Sequence, residues 1–158
     1  MIIGIPTETK EHEYRIAIVP AGVKTLVEAG HRVLIEEGAG LGSDIPDQEF
    51  LEAGAALLSS REEVFGEADL IMKVKEPLLD ECQFMRPGQI LYAYLHLAAS
   101  PQLTHTLLEK EIIGIAYETV QREDGSLPLL APMSEVAGRL AIQAGARYLE
   151  KGEGGRGV

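Results

Sequence analysis

The chain has 158 residues, of which 46% are hydrophobic and 25% are charged, a composition typical of one soluble globular domain rather than of a disordered or fibrous protein. Its formal net charge of -11 at pH 7 argues against nucleic acid or an anionic membrane as a partner, because either would repel the chain. No stretch approaches the roughly 18 consecutive apolar residues that a membrane span needs, and the first residues do not resemble a signal peptide, so we expect a cytoplasmic protein.

Redox and metal chemistry are not expected in this chain. The only cysteine, Cys82, cannot form an internal disulfide, and the sequence contains neither a CxxC nor an HExxH spacing. We therefore interpret Cys82 as an inert thiol on a helix and predict no metal site.

Short apolar runs of strand length alternate with segments of helical period along almost the whole chain. This alternation is typical of an α/β fold in which helices cover both faces of a parallel sheet, giving three layers. The predicted strands, in chain order, are Ile2–Ile5, Arg32–Glu36, a weaker one at Ala56–Leu58, Leu70–Val74, Gln89–Tyr94 and Ile112–Ala116.

Helices are predicted between these strands. Proline at the start and glycine at the end bracket the first helix, and Ser100 followed by Pro101 is a typical helix start. The predicted helices are Pro20–Gly30, Asp47–Ala53, Ser60–Gly66, Ser100–Lys110 and Ser134–Lys151.

Two glycine-rich stretches resemble nucleotide-binding loops, and we reject both. Gly152–Gly157 matches the GxGxxG pattern, but it follows a predicted helix, whereas a dinucleotide loop leaves a strand and opens a helix. We expect it to be a flexible linker. Gly38–Gly42 follows a strand with the wrong spacing and is interpreted as a turn.

Polar residues follow several of the predicted strands, at the edge where open α/β sheets bind their ligands. Arg15 ends the polar loop after the first strand, Lys75 follows the strand that starts at Leu70, and His96 lies just beyond Tyr94. Arginine can hold a carboxylate through two hydrogen bonds, lysine can polarise a carbonyl, and histidine can transfer protons at neutral pH. These three residues predict a basic cleft for a small carboxylic acid.

Each assignment has a structural alternative. Arg15 could form a surface salt bridge, Lys75 could be a solvated turn lysine, and His96 could be a core histidine among its apolar neighbours. Tyr94 and Glu118, which also follow strands, are interpreted as residues that support the site. The other histidines, at positions 12, 31 and 105, lie in a charged loop, a turn and a polar helix, and are weaker candidates.

Several segments, in order and spacing, resemble the N-terminal half of bacterial alanine dehydrogenases, in the alanine dehydrogenase/pyridine nucleotide transhydrogenase family. They are IGIPTETKEHEYR from Ile3, DLIMKVKEP from Asp69, YLHLA from Tyr94, AYETV from Ala116 and LAPMSEVAG from Leu130. Any one of them would be a weak signal, but together they cover essentially the whole chain.

The resemblance implies a flavodoxin-like or Rossmann-like substrate domain that is followed in the family by a separate NAD-binding Rossmann domain. We expect a substrate domain over residues 1–133, a crossing helix over residues 134–151 and a glycine-rich linker over residues 152–158. The family is usually hexameric, so the complete protein is expected to be a homohexamer.

The resemblance also implies roles for individual residues. Arg15 and Lys75 would bind the carboxylate and keto group of the substrate, His96 would be the catalytic acid and base, and Met133 and Ser134 would lie against NAD. The implied reaction is the reversible oxidative deamination of L-alanine to pyruvate and ammonium. A catalytic aspartate that the family supplies from its Rossmann domain is absent here, so this chain alone is expected to be inactive.

Three alternatives stay open at this point. The NAD-binding subunit of proton-translocating transhydrogenase shares the fold, the early arginine and a lysine like Lys75, but its hydride transfer between nucleotides requires no proton carrier such as His96. Saccharopine dehydrogenases are more distant relatives with a larger substrate. A stand-alone module that binds a small acid without any chemistry is the third alternative.

Overall fold

A computed structural model describes residues 1–157, and a six-stranded parallel sheet organises the first part of the chain. The strands are β1 (Ile2–Ile5), β2 (Arg32–Glu36), β3 (Ala56–Leu58), β4 (Leu70–Met72), β5 (Ile90–Ala93) and β6 (Ile113–Ala116). Their order is β3-β2-β1-β4-β5-β6, and every pair is parallel. This is the strand order of a doubly wound Rossmann sheet, so the predicted α/β fold is confirmed.

Five α-helices are described, and their starts follow from local capping chemistry. The side chain of Ser60 accepts a hydrogen bond from the backbone N–H of Glu63, and that of Ser100 accepts one from Leu103. The helices are α1 (Pro20–Glu28), α2 (Asp47–Glu52), α3 (Arg61–Glu67), α4 (Pro101–Glu109) and α5 (Ala131–Leu149). Short 3-10 helices lie at Leu41–Ser43, Glu81–Phe84, Leu97–Ala99, Tyr117–Thr119 and Lys151–Glu153.

The sheet separates two apolar cores, one on each face. One core contains Val23 of α1 and Phe50 of α2 packed with residues of β1 and β2. The other contains Phe65 of α3 and Leu103 of α4 packed with residues of β4 and β5. Buried strands of this kind have apolar side chains on both faces, which explains why their sequences are nearly continuous apolar runs.

The strand order reverses its direction between β1 and β4. The chain moves outward from β1 through β2 to β3 and then returns to place β4 on the other side of β1. The loops that follow β1 and β4 therefore diverge and leave a crevice at the carboxyl edge, where open α/β sheets bind ligands.

Strand β4 is shorter than predicted, ending at Met72 instead of Val74. The backbone N–H of Lys73 still donates to the carbonyl of Tyr92 on β5. The N–H of Val74, however, donates to the side chain of Glu8 at 2.6 Å. A side-chain carboxylate is thus the partner of this N–H, whereas the carbonyl of Val74 still accepts a hydrogen bond from the N–H of Tyr94 at 3.1 Å.

The contacts divide the chain into a first unit, Met1–Ala116, and a second unit that begins at Tyr117. In the second unit α5 starts at Ala131, three residues before the predicted start, because Pro132 suits the first turn of a helix. The predicted boundaries at residues 133 and 151 stay predictions.

The glycine-rich end of the chain forms a turn on the end of α5. The N–H of Gly155 donates to the carbonyl of Glu150, and that of Gly157 donates to Leu149. The stretch follows a helix and not a strand, as the rejection of a dinucleotide loop required. Its role as a linker stays a prediction.

Among residues 1–157, no helix combines the length and the apolar character that crossing a bilayer would require.

Candidate functional site

The first unit brings four of the sequence-predicted site residues to the same edge of the sheet. Arg15 lies in the loop after β1, Lys75 follows β4, and Tyr94 and His96 follow β5. These three strands are neighbours in the sheet, and they end at the crevice where the strand order reverses. The carboxyl edge thus holds two cations, a phenol and an imidazole.

Glu13 fixes the orientation of Arg15. The guanidinium Nε of Arg15 donates to Oε1 of Glu13 at 2.7 Å and one Nη donates to Oε2 at 2.6 Å, so the pair is bidentate. The backbone N–H of Arg15 also donates to Oε1 at 3.0 Å. A half-buried arginine held in one plane in this way can present its guanidinium to a carboxylate at low entropic cost.

The Glu13 and Arg15 side chains also shift each other's protonation. The hydrogen bond from Arg15 lowers the pKa of Glu13 against the opposing effect of burial, and the positive charge of Lys75 lowers it further. Hydrogen bonding to Glu13 raises the pKa of Arg15, and the potentials of Tyr94 and Glu8 act in the same direction. Both groups of the pair are therefore charged at neutral pH.

His96 is exposed and has an unusual backbone conformation. Its φ of 46° and ψ of 37° lie in the left-handed region, which is rare for a residue other than glycine and costs about 1 kcal/mol. The ring of His96 stacks on that of Tyr94, with centroids 6.4 Å apart and planes at 19°. Its exposure rules out the core-histidine alternative, and the strained backbone directs the imidazole off the end of β5.

Glu76, which follows Lys75, links the loops after β1 and β4. Its Oε1 forms an ion pair with the ammonium of Lys10. Burial, the largest single influence, would raise the pKa of Glu76, but the hydrogen bond from Lys10, a backbone hydrogen bond and the electrostatic effects of Lys10 and His96 together outweigh it, and the pKa is lowered. An ionised carboxylate therefore lies within electrostatic range of His96.

A cavity of about 190 Å³ opens beside Arg15, whereas Lys75, Tyr94 and His96 are not among the residues that line it. Its walls include Arg15, Glu13 and Glu8 from the loop after β1 and Gly38 from the turn after β2. A small acid of a few heavy atoms fits such a space next to the guanidinium. The predicted turn at Gly38–Gly42 forms part of this wall rather than a phosphate loop.

Five further charged residues near the site were not predicted from the sequence, namely Glu8, Glu13, Lys73, Glu76 and Glu81. One signal was present in the sequence. Lys73 interrupts an apolar strand run, and a charge in such a position has to be paired when the strand is buried. The partners themselves could not be named from the sequence, because Glu8 is 65 positions from Lys73 by numbering and is joined to it only by the fold.

The remaining predicted residues lie in the second unit. Glu118 belongs to the 3-10 helix Tyr117–Thr119, whereas Met133 and Ser134 lie in the first turns of α5. The Met133 side chain is exposed, and the backbone N–H of Ser134 donates to Leu130. Among the residues that the structure describes, no cluster of three His, Cys, Asp or Glu side chains could hold a metal ion.

Comparison with known proteins identifies the family. The family model described as "Alanine dehydrogenase/PNT, N-terminal domain" matches residues 4–137. The chain belongs to this family. The resemblance inferred from the sequence is thereby confirmed, and the matched segment contains each candidate site residue.

Individual members of the alanine dehydrogenase/PNT family are similar along the whole chain. An alanine dehydrogenase from Methanococcus maripaludis is 61% identical over 158 residues, which are 100% of this chain and 42% of that protein. A solved L-alanine dehydrogenase superposes with a TM-score of 0.90 at 49% identity, covering 100% of this chain and 44% of that chain. This chain thus spans less than half the length of the relatives that it matches.

A transhydrogenase from Sinorhizobium meliloti is also similar, but less so. Its structure superposes with a TM-score of 0.72 at 32% identity and covers 77% of this chain and 36% of that one. Both branches of the alanine dehydrogenase/PNT family therefore share this fold, and the identity is higher toward the alanine dehydrogenases.

Proposed function

We propose that the complete protein containing this chain is an NAD-dependent alanine dehydrogenase and that the first unit binds the substrate. The observation that carries the proposal is His96, an exposed imidazole at the end of β5 with an ionised carboxylate, Glu76, within electrostatic range. Deamination moves protons as water adds and ammonia leaves, and an accessible imidazole suits that task.

Arg15 and Lys75 would recognise the oxygen atoms of the substrate. The guanidinium of Arg15, held in plane by Glu13, would pair with the carboxylate of alanine or pyruvate. The ammonium of Lys75 would stabilise the negative charge that develops on the carbonyl oxygen. Because both groups act on the bound substrate and not on the packing of the fold, losing either should reduce kcat/KM more than the stability of the fold.

His96 would carry the protons of the reaction, and Tyr94 would support its ring. Loss of hydride from the α-carbon of alanine leaves an imine, to which water adds before ammonia departs. The imidazole would accept a proton from the water and return one to the departing nitrogen. Tyr94 stacks on the ring and limits its rotation. Glu118 is proposed as a supporting residue of the complete enzyme.

NAD, when bound, supplies the hydride acceptor. Met133 and Ser134 are the residues of this chain proposed to lie against it, and the described residues fit a minor contribution of this kind. Met133 and Ser134 are both exposed in the first turns of α5. The only GxGxxG stretch, Gly152–Gly157, follows a helix, so most of the binding is assigned to residues outside this chain. A homohexameric, cytoplasmic enzyme is the assembly proposed from the family.

The substitution His96→Ala in the complete protein tests this function. We expect alanine-dependent NADH formation to fall by about 10²- to 10⁴-fold, because the proton carrier is lost, while circular dichroism and oligomeric state are unchanged. His105→Ala, on an exposed position of α4, is the matched control and should keep normal turnover. Near-normal turnover of His96→Ala would refute the assignment.

The transhydrogenase branch is the second candidate, because its member shares the fold at a TM-score of 0.72. It predicts hydride transfer from NADH to a nucleotide analogue without any dependence on L-alanine. Assaying the complete protein with each pair of substrates distinguishes the two activities. Binding of pyruvate without turnover in either assay would instead favour the module that binds a small acid.

A further inference from the structure

Three charged side chains are buried together beneath the candidate site. Lys73 is 1% exposed, Glu8 3% and Glu81 1%. The ammonium Nζ of Lys73 lies 3.3 Å from Oε2 of Glu8 and 3.2 Å from Oε1 of Glu81. A single cation thus joins one carboxylate from the loop after β1 and one from the 3-10 helix Glu81–Phe84.

The two carboxylates that pair with Lys73 also accept hydrogen bonds from the backbone around Lys75. Glu8 accepts hydrogen bonds from the backbone N–H of Val74 at 2.6 Å and of Lys75 at 3.4 Å. Glu81 accepts one from the N–H of Leu78 at 2.8 Å. The segment that carries Lys75 is therefore held by side-chain carboxylates on both sides of that residue.

Glu8 bridges the crevice at which the strand order reverses. It belongs to the loop after β1, whereas its partners Lys73, Val74 and Lys75 follow β4. The same residue lines the cavity beside Arg15, and its charge acts on the guanidinium. Glu8 is thus the residue that contacts the Lys75 backbone and also faces the Arg15 side of the site.

Stability alone does not account for this arrangement. Removing three charges from water is costly, and well-packed apolar side chains of similar volume usually stabilise a fold as well or better. With two carboxylates and one ammonium, the group also keeps a formal excess of negative charge. What apolar residues could not do is accept the hydrogen bonds of Val74, Lys75 and Leu78.

We infer that Glu8, held by Lys73, is a positioning residue that sets the distance between Lys75 and Arg15. This distance would decide how well a 2-oxo acid fits, so the role rests on the dehydrogenase activity proposed above. Displacement of a substrate-binding group by about 1 Å reduces rates by up to about 100-fold. Glu8 acts through the backbone of Lys75 and does not itself contact the reacting atoms.

The substitution Glu8→Gln in the complete enzyme tests this role. Glutamine keeps the shape of glutamate and one acceptor oxygen, but its amide NH₂ can only donate. In one orientation the NH₂ group faces the Lys73 ammonium and the Lys75 N–H, and in the other it faces the Val74 N–H, so a donor opposes a donor in both. We expect kcat/KM for pyruvate to fall by about 10-fold or more, with a lower kcat and a higher KM for pyruvate, while KM for NADH changes by less than about twofold.

Gln89→Met supplies the matched control. Gln89 is also buried, and its amide donates to the carbonyls of Phe65 and Ala68, both at 2.8 Å, but it precedes β5 at the opposite edge of the sheet. This variant should lose thermal stability and keep the pyruvate KM of the unsubstituted enzyme. If Glu8→Gln does not fold, Glu8→Asp, which keeps the charge and withdraws it by one methylene, is measured in the same way.

The outcomes separate the two levels of the proposal. An unchanged pyruvate KM in a folded Glu8 variant with a lower Tm would overturn the positioning role and leave the group as a structural ion network. A selective increase in pyruvate KM, absent from the Gln89 variant, would support it. An unsubstituted enzyme without alanine-dependent NADH formation would overturn the proposed function and this role together.

Discussion

At the scale of single residues, the candidate site combines strain with charge pairing. His96 has a φ of 46°, in the left-handed region that only glycine adopts without steric cost, and similar strain often accompanies functional positions. Arg15 is paired with Glu13, so its charge is compensated before any substrate binds. A substrate carboxylate bound by Arg15, as proposed, would therefore contact an oriented guanidinium and not a freely rotating one.

Cys82 is buried in the 3-10 helix Glu81–Phe84, consistent with the inert thiol expected from the sequence. Burial, helped by the negative charge of Glu81, raises its pKa from 9.0 to about 11. Since the raised pKa belongs to the folded state, the native thiol stays protonated until the pH approaches 11. Its contribution to stability is present below pH 9.0 and is lost as the pH rises through the folded value.

Cys82 is therefore expected to resist thiol reagents in the native protein. At pH 8 we expect less than about 5% of it to react with Ellman's reagent over an hour, because only the thiolate attacks and the side chain is inaccessible. The same protein in 8 M urea, a concentration on the order of that which unfolds most domains, should react completely. Rapid labelling of the native protein would contradict the buried position.

At the scale of elements, β1 packs closely on α3 through a glycine. A Cβ atom built on Gly4 would lie 2.7 Å from the Cβ of Ala68 and 2.8 Å from Cγ1 of Val64. Contacts this short require the helix to move away from the sheet. The absence of a side chain at Gly4 thus lets β1, which carries the loop with Arg15, lie under α3.

Gly4→Ala is expected to destabilise the protein by about 1–3 kcal/mol, because overpacking displaces α3 from the sheet. Gly66→Ala is the matched substitution within α3, where a Cβ atom meets nothing within 4 Å. That change should stabilise the helix by about 0.5–1 kcal/mol. Urea denaturation followed by circular dichroism measures the free energy of unfolding of both variants. Equal effects of the two changes would contradict the close packing around Gly4.

At the scale of the whole molecule, the chain contains the unit proposed to bind the substrate, and all of its residues match 42% of the length of an alanine dehydrogenase. The strand β6 at the edge of the sheet leaves Ile113 52% and Ile115 40% exposed.

The 158-residue chain expressed by itself is accordingly expected to form no NADH from L-alanine. Its glycine-rich stretch follows α5 and does not open a helix after a strand, so a site for the hydride acceptor is incomplete within residues 1–157. A spectrophotometric assay at 340 nm, about the absorption maximum of reduced nicotinamide, tests this with the complete protein as positive control. Alanine-dependent NADH formation by the chain alone would refute the expectation.

The sequence by itself determined the α/β class, the order of the elements and the residues that follow each strand. Alternating apolar runs, prolines at helix starts and serine caps are local signals, so the predicted strands and helices differ from the observed ones by only a few residues at their ends. The candidates Arg15, Lys75 and His96 were found in the same way, since each follows a strand or its loop.

Which of these residues contact one another depends on the tertiary fold and could not be predicted from the sequence. The strand order places β1 beside β4, and this lets Glu8 accept a hydrogen bond from Val74, 66 positions away. The pairing of Lys73 with Glu8 and Glu81 depends on the same long-range contacts. Burial and pairing are properties of the packed sheet. A local sequence pattern shows which side chains are charged, but it does not show which partner compensates each charge when water is removed.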